Sequence, residues 1–144
     1  MKFNCHTVGL TYGLFLLLCV TTSAQQTHRK NEINFLDRSF SQALTSAKGQ
    51  HKVVFVDAYA VWCVPCKDLK LKTFKNSQVA SYFNNNFINI SIDVEKGEGE
   101  KFAELFDVSS YPTLLFIDEN GNLIKKAEGF IDVTSILTLA KNIK

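Results

Sequence analysis

Apolar residues along this chain fall into short, separated blocks whose spacing alternates between helical and strand-like. Between residues 31 and 48, Leu36, Phe40, Ala43, Leu44 and Ala47 recur at three- and four-residue intervals. That spacing predicts an amphipathic helix, ended by Gly49 and Gln50. Val53-Val54-Phe55-Val56 is a continuous β-branched run and predicts a buried strand. Helical segments are expected over residues 67–74 and, for a turn or two, over 78–83. Phe87-Ile88-Asn89-Ile90-Ser91-Ile92 alternates toward its end, which predicts a second strand finishing at Asp93. The Gly97-Glu98-Gly99 loop precedes a short helix carrying Phe102, Leu105 and Phe106. Thr113-Leu114-Leu115-Phe116-Ile117 is a third strand, and Asp118-Glu119-Asn120-Gly121 supplies a hairpin turn into an antiparallel fourth strand over 123–127. Gly129 precedes a last helix from about Asp132, with Ile136, Leu137 and Ala140 on one face. Strands separated by helices predict parallel crossovers, and the closing hairpin adds antiparallel pairing. The expectation is one α/β domain over residues 31–144, its mixed sheet covered by helices on both faces.

The first segment has a different pattern. Lys2 is followed by an apolar stretch from Val8 to Val20 and then by Thr22-Ser23-Ala24. An early cation, a short apolar core and small residues at the exit predict a secretory signal peptide over 1–24, cleaved near Ala24. The core is shorter than the ~20 apolar residues a membrane span requires, so no span is expected after cleavage. An uncleaved anchor and acylation of Cys19 are the alternatives, the latter disfavoured by bulky Leu18. Residues 25–30 are polar and read as a flexible lead-in.

The 16 basic and 14 acidic residues give a net charge of +2 with no clustered excess. That balance argues against a nucleic-acid partner. Asn89-Ile90-Ser91 has the form of a glycosylation acceptor but falls on an expected buried strand. Of the 4 cysteines, Cys5 and Cys19 leave with the signal, so Cys63 and Cys66 remain. Two cysteines are not the inventory of a small disulfide-stapled scaffold, and they need a reason other than holding the fold together.

That reason lies in Trp62-Cys63-Val64-Pro65-Cys66-Lys67, at the junction of the first strand and a helix. Disulfide exchange needs a thiolate that attacks and a second thiol close enough to resolve the mixed disulfide. At a helix N-terminus, free N–H groups and the helix dipole favour a Cys63 thiolate. Cys66 lies almost one turn later, facing the same way and deeper. Pro65 is tolerated because first-turn N–H groups have no helical partner to lose. Cys63 is thus the expected nucleophile, reachable by a partner, and Cys66 the resolving thiol. Lys67 is a further candidate for favouring the thiolate. Three other readings stay open: a zinc site, short of ligands with His28 and His51 both distant; copper delivery through the two thiols and His51; and a structural disulfide, weak in so short a loop.

With these residues in place, the chain resembles the thioredoxin superfamily from about Asn31 to the C-terminus. Asp57 stands six residues before Cys63, Ser110-Tyr111-Pro112-Thr113 matches the family's cis-proline loop, and Gly129 matches a glycine before the last helix. Trp62 to Lys67, Thr73-Phe74 and Val79 before Phe87 are similar to a narrower secreted group. That group includes the C-terminal domain of transmembrane thiol:disulfide interchange proteins.

The resemblance implies a thioredoxin fold with a mixed four- to five-stranded central sheet. It implies no cofactor beyond a redox-active disulfide between Cys63 and Cys66. Asp57 would exchange a proton with Cys66, burial raising its pKa toward the working range. Some relatives pair this Asp with a Lys from the neighbouring strand; the corresponding position here is expected to be Asn89, which routes the proton through water. Pro112 would be cis, freeing the Tyr111 backbone to pair with an extended substrate segment. Trp62 and Tyr111 would rim the site, and Val64 and Pro65 would tune the potential. The implied function is a thiol–disulfide oxidoreductase of the cell envelope, periplasmic or secreted. Its partners are protein thiols and disulfides and a membrane electron donor. Proline before the second cysteine favours the reducing direction. The alternative is a non-catalytic thioredoxin-like binding module, or a copper or zinc chaperone using the same thiols.

Overall fold

The computed structural model describes residues 31–143. The expected signal peptide and lead-in lie outside the described residues. Among those described, no helix is long and apolar enough to cross a membrane. The elements run α1 (Phe40–Gln50), β1 (Val53–Tyr59), α2 (Val64–Asp68) continued by a π-helical turn (Leu69–Thr73), α3 (Ser77–Asn86) and β2 (Phe87–Asp93). Then follow α4 (Glu98–Leu105), β3 (Thr113–Ile117), β4 (Leu123–Glu128) and α5 (Val133–Lys141).

Helix α1 starts nine residues later than the periodicity predicts. Ser39 and Gln42 form a capping box at its N-terminus, which satisfies two otherwise unpaired N–H groups. The segment before it bonds to two other elements, Ile33 N–H donating to Phe74 O just after the π turn at 2.9 Å and Leu36 N–H to Asn89 O of β2 at 2.8 Å. Leu36 packs against the same core as α1, so its spacing imitates a helical position. Gly49 and Gln50 lie inside the helix, which ends at His51 in the left-handed region with φ 51°. The second helix also begins earlier than expected, at Val64, because Cys63 caps it.

The sheet has four strands in the order β2-β1-β3-β4. β1 and β2 are parallel in the register Val53↔Phe87 to Tyr59↔Asp93, as the pattern predicts. β3, however, is antiparallel to β1, with Ala58 opposite Thr113, although a helix separates the two strands. A period-two pattern is unchanged when a strand is reversed, so it reports faces and not direction. The reversal has a consequence for the site: it brings the start of β3, and hence Pro112, to the end of β1 that leads into Cys63.

Alternation along β1 sorts the core into two layers. Val54, Val56 and Ala58 face Ala43 and Ala47 of α1 and Phe102 of α4, together with Ile90 and Leu115. Phe55 faces Leu69 and Phe74 beyond α2, Val79 and Phe83 of α3, and Ile136 of α5. Helices therefore cover both faces, as expected. Gly99 lies so close to the backbone of Asp93 that a Cβ there would overlap the Asp93 carbonyl, which lets α4 turn directly off the end of β2.

Candidate active site

The site is built where β1 ends and α2 begins. Cys63 is the N-cap of α2, in extended conformation, and its Sγ accepts the Cys66 N–H at 3.1 Å. Pro65 occupies the first turn, where no helical hydrogen bond is lost. Cys63 and Cys66 are joined in a disulfide of 2.07 Å. The sequence reading expected a reachable Cys63 and a deeper Cys66, but in this oxidised state both residues are only 2% exposed. The N-cap position turns the Cys63 sulfur inward, and the pair packs against Ala60, Tyr59 and Tyr111.

Around this covered pair stands an exposed apolar rim of Val61, Trp62 and Val64, with exposures of 49%, 62% and 67%. The Trp62 ring meets Tyr111 edge-on at 5.9 Å. Its indole N–H donates to both carboxylate oxygens of Glu95, each at 2.9 Å. The Tyr111–Pro112 peptide is cis, and Pro112 O accepts the Gly129 N–H at 2.7 Å. The expected residues Trp62, Cys63, Val64, Pro65, Cys66, Tyr111 and Pro112 thus converge at one end of the sheet.

Asp57 shares the Phe55 face of β1, the face covered by α2 and the π turn. It is fully buried. Its Oδ2 accepts the Ser91 hydroxyl at 2.9 Å and lies 3.7 Å from Lys70 Nζ. Its Oδ1 is buried without a hydrogen-bond partner among the described residues. Burial pushes the Asp57 carboxyl up to about 6, while Lys70 and the Ser91 hydrogen bond pull it back down. A carboxyl so placed can hold or yield a proton near pH 6.

One expectation about the surroundings of Asp57 is corrected here. The β2 residue opposite Asp57 is Ser91 and not Asn89, which pairs with Phe55; Asn89 is buried and donates to Phe83 O at 3.3 Å. A buried Asn89 also removes the glycosylation reading. The cation at the carboxylate is Lys70, from the π turn, whereas Lys67 is exposed. Lys70, Ser91 and Glu95 are the residues that sequence reasoning missed. Lys70 lies four residues after Cys66, a same-face spacing that could have exposed it. Ser91 required the register, and Glu95 carries no sequence signal. Among the described residues, no group of three or more His, Cys, Asp or Glu side chains is arranged to hold a metal ion.

Two thiols that close into a disulfide at a capped helix start, in a thioredoxin fold, define the class of thiol–disulfide oxidoreductases. Comparison with known proteins places the chain within it: residues 40–144 match the thioredoxin-like domain family, and the chain belongs to that family. It is 33% identical over 139 residues to the thiol:disulfide interchange protein DsbD of Pseudoalteromonas atlantica, covering 92% of this chain but 24% of that protein. The chain therefore spans about a quarter of the length of that curated relative. It is similar to a candidate disulphide isomerase from Bacteroides thetaiotaomicron, with 38% identity, a TM-score of 0.69, and coverage of 79% of this chain and 97% of the other. The C-terminal domain of Neisseria meningitidis DsbD in its reduced form matches at a TM-score of 0.62 and 20% identity, over 72% of this chain and 93% of that one. That last likeness is one of fold.

Proposed function

We propose that this chain reduces protein disulfides in the cell envelope, periplasmic or secreted, once residues 1–24 are removed as a signal peptide. The observation that carries the reading is the Cys63 sulfur at the start of α2, hydrogen-bonded by Cys66 N–H and disulfide-linked to Cys66, above the face that holds buried Asp57. In the reduced chain, the Cys63 thiolate attacks one sulfur of a substrate disulfide. A Cys63–substrate disulfide forms, and the other substrate sulfur leaves as a thiolate that takes a proton from solvent. Cys66 then gives its proton to the Asp57 carboxylate, and its sulfur attacks Cys63 Sγ. The second substrate sulfur departs reduced, and the Cys63–Cys66 disulfide is restored. Two electrons have passed to the substrate, and a dithiol partner, in this reading a membrane electron donor, must return them.

The rim of Trp62 and Tyr111 beside Pro112 is the surface on which an extended substrate segment lies, its backbone pairing with that of Tyr111. Val64 and Pro65, between the sulfurs, set the potential, with Lys67 adding positive charge nearby. Tyr59 and Tyr111 both pack against the oxidised pair.

The test is trapping with Cys66→Ser in the native compartment, paired with alkylation of the reduced wild-type chain. Mixed disulfides through Cys63, and Cys63 labelled well before Cys66 at neutral pH, are the expected results. No captured protein above background, together with a Cys63 as slow to label as Cys66, overturns the reading in favour of a non-catalytic module.

A further inference from the structure

We propose that Lys70 is a positioning residue for proton transfer at Asp57, supplying from the helix side the positive charge that governs when the buried carboxylate can take the proton of Cys66. The inference rests on the exchange chemistry proposed above and adds a residue to it.

Two contacts hold Lys70 in place. Its Nζ lies 3.7 Å from Asp57 Oδ2 and 3.5 Å from the centre of the Tyr59 ring. Its side chain is 38% exposed, against 0% for Asp57, so the ammonium links solvent to a fully buried carboxyl. The Tyr59 face attracts a cation and fixes where it stands. Lys70 sits inside the π-helical turn Leu69–Thr73, and such turns are frequent at functional positions. It also lies four residues after Cys66 on one continuous helical segment, so resolving thiol and ammonium share a side of the helix.

The groups facing Asp57 leave the sign of the effect unambiguous. Lys70 comes from the π turn, Tyr59 from its own strand, Ser91 from β2 and apolar Leu114 from β3. Asp93 and Lys96, 3.4 Å apart, act on Tyr59, which burial and its acidic neighbours keep a neutral phenol. Lys70 is therefore the cation that favours the ionised carboxylate. Ser91 helps by donating to Oδ2, and Oδ1 is the oxygen free to receive a proton. Without Lys70, Asp57 stays protonated to higher pH and cannot accept the Cys66 proton there.

The experiment compares wild type, Lys70→Met and Lys70→Arg across pH 5–9. One readout is reduction of a protein disulfide; the other is direct titration of the Asp57 carboxyl by carbon NMR in the oxidised chain. Lys70→Met should move both midpoints upward by about one pH unit, the low end for loss of an opposite charge at this distance. The exchange rate at pH 6 should fall about fivefold and converge with wild type at pH 9. Lys70→Arg should restore the wild-type midpoints. A purely structural lysine would lower rates equally at every pH; that result, or superimposable carboxyl titrations, overturns the inference. A wild-type chain inert toward disulfides whose carboxyl still shifts in Lys70→Met supports the Lys70–Asp57 coupling and sinks the exchange reading instead.

Discussion

The two faces of the sheet are made by the same strands and serve different ends. On the face toward α1 and α4, Val54, Val56, Ala58, Ile88, Ile90 and Ile92 form an uninterrupted aliphatic layer. The opposite face begins the same way at one end, where Phe55 packs with Phe83 at 4.7 Å and Phe116 at 5.1 Å. One step along it turns polar, with Asp57 opposite Ser91. Both buried polar oxygens left without hydrogen-bond partners among the described residues, Asp57 Oδ1 and Asn89 Oδ1, are on this second face. An unpaired buried acceptor costs stability. The first face therefore stabilises the fold, and part of the second gives up stability to keep a buried carboxyl at Asp57.

That contrast can be broken most forcefully at Phe55. It is fully buried among aromatic rings, so Phe55→Ala should cost about 3–5 kcal/mol, measured by urea unfolding. Two residues along the same strand and face, Asp57→Asn should act in the opposite direction. The folded carboxyl sits at about 6, above its ordinary 3.8, so the folded chain holds this proton more tightly than the unfolded chain. Stability from that proton is present below about pH 4 and is lost as pH rises through 4 to 6. At pH 8, Asp57→Asn should gain about 2–3 kcal/mol over wild type, the gain vanishing near pH 4. The same variant should slow disulfide exchange about a hundredfold, the low end for a positioned proton acceptor. A destabilised Asp57→Asn at pH 8 would remove the distinction between the faces.

The smallest effect is expected at the rim. Glu95→Gln weakens the charged acceptor that holds the Trp62 indole, and KM for a protein disulfide should rise about two- to threefold with kcat unchanged, as for an exposed charged contact. A kcat change would mean that the tether reaches the sulfurs and not only the docking surface.

How much could be read in advance differs residue by residue. Cys63, Pro65 and Cys66 are legible because capping, dipole and first-turn proline all act within a few residues. Asp57 is legible only through the resemblance to the thioredoxin superfamily, which expects a buried Asp at that place. Ser91 is not, because it meets Asp57 across 34 positions and a parallel register decides which β2 side chain arrives; taking Asn89 instead misplaces the partner by two residues. Lys70 escaped notice because the resemblance places the cation beside Asp57 on the neighbouring strand, whereas it comes from the helix side, four residues after Cys66. Leu36 suggested a helix because its spacing also suits an extended segment crossing the sheet edge onto the same core.

By itself the sequence determined the elements, their apolar faces and the paired thiols, since periodicity, capping and proline chemistry are local. The tertiary structure alone decided that β3 runs against β1, that Ser91 and Lys70 meet Asp57, and that Tyr59 and Tyr111 pack against the disulfide. The reason is physical: a two-residue alternation looks the same in either chain direction and at any even shift. Packing between distant segments must choose among those equivalents, and that choice brings Ser91 and Lys70 to Asp57.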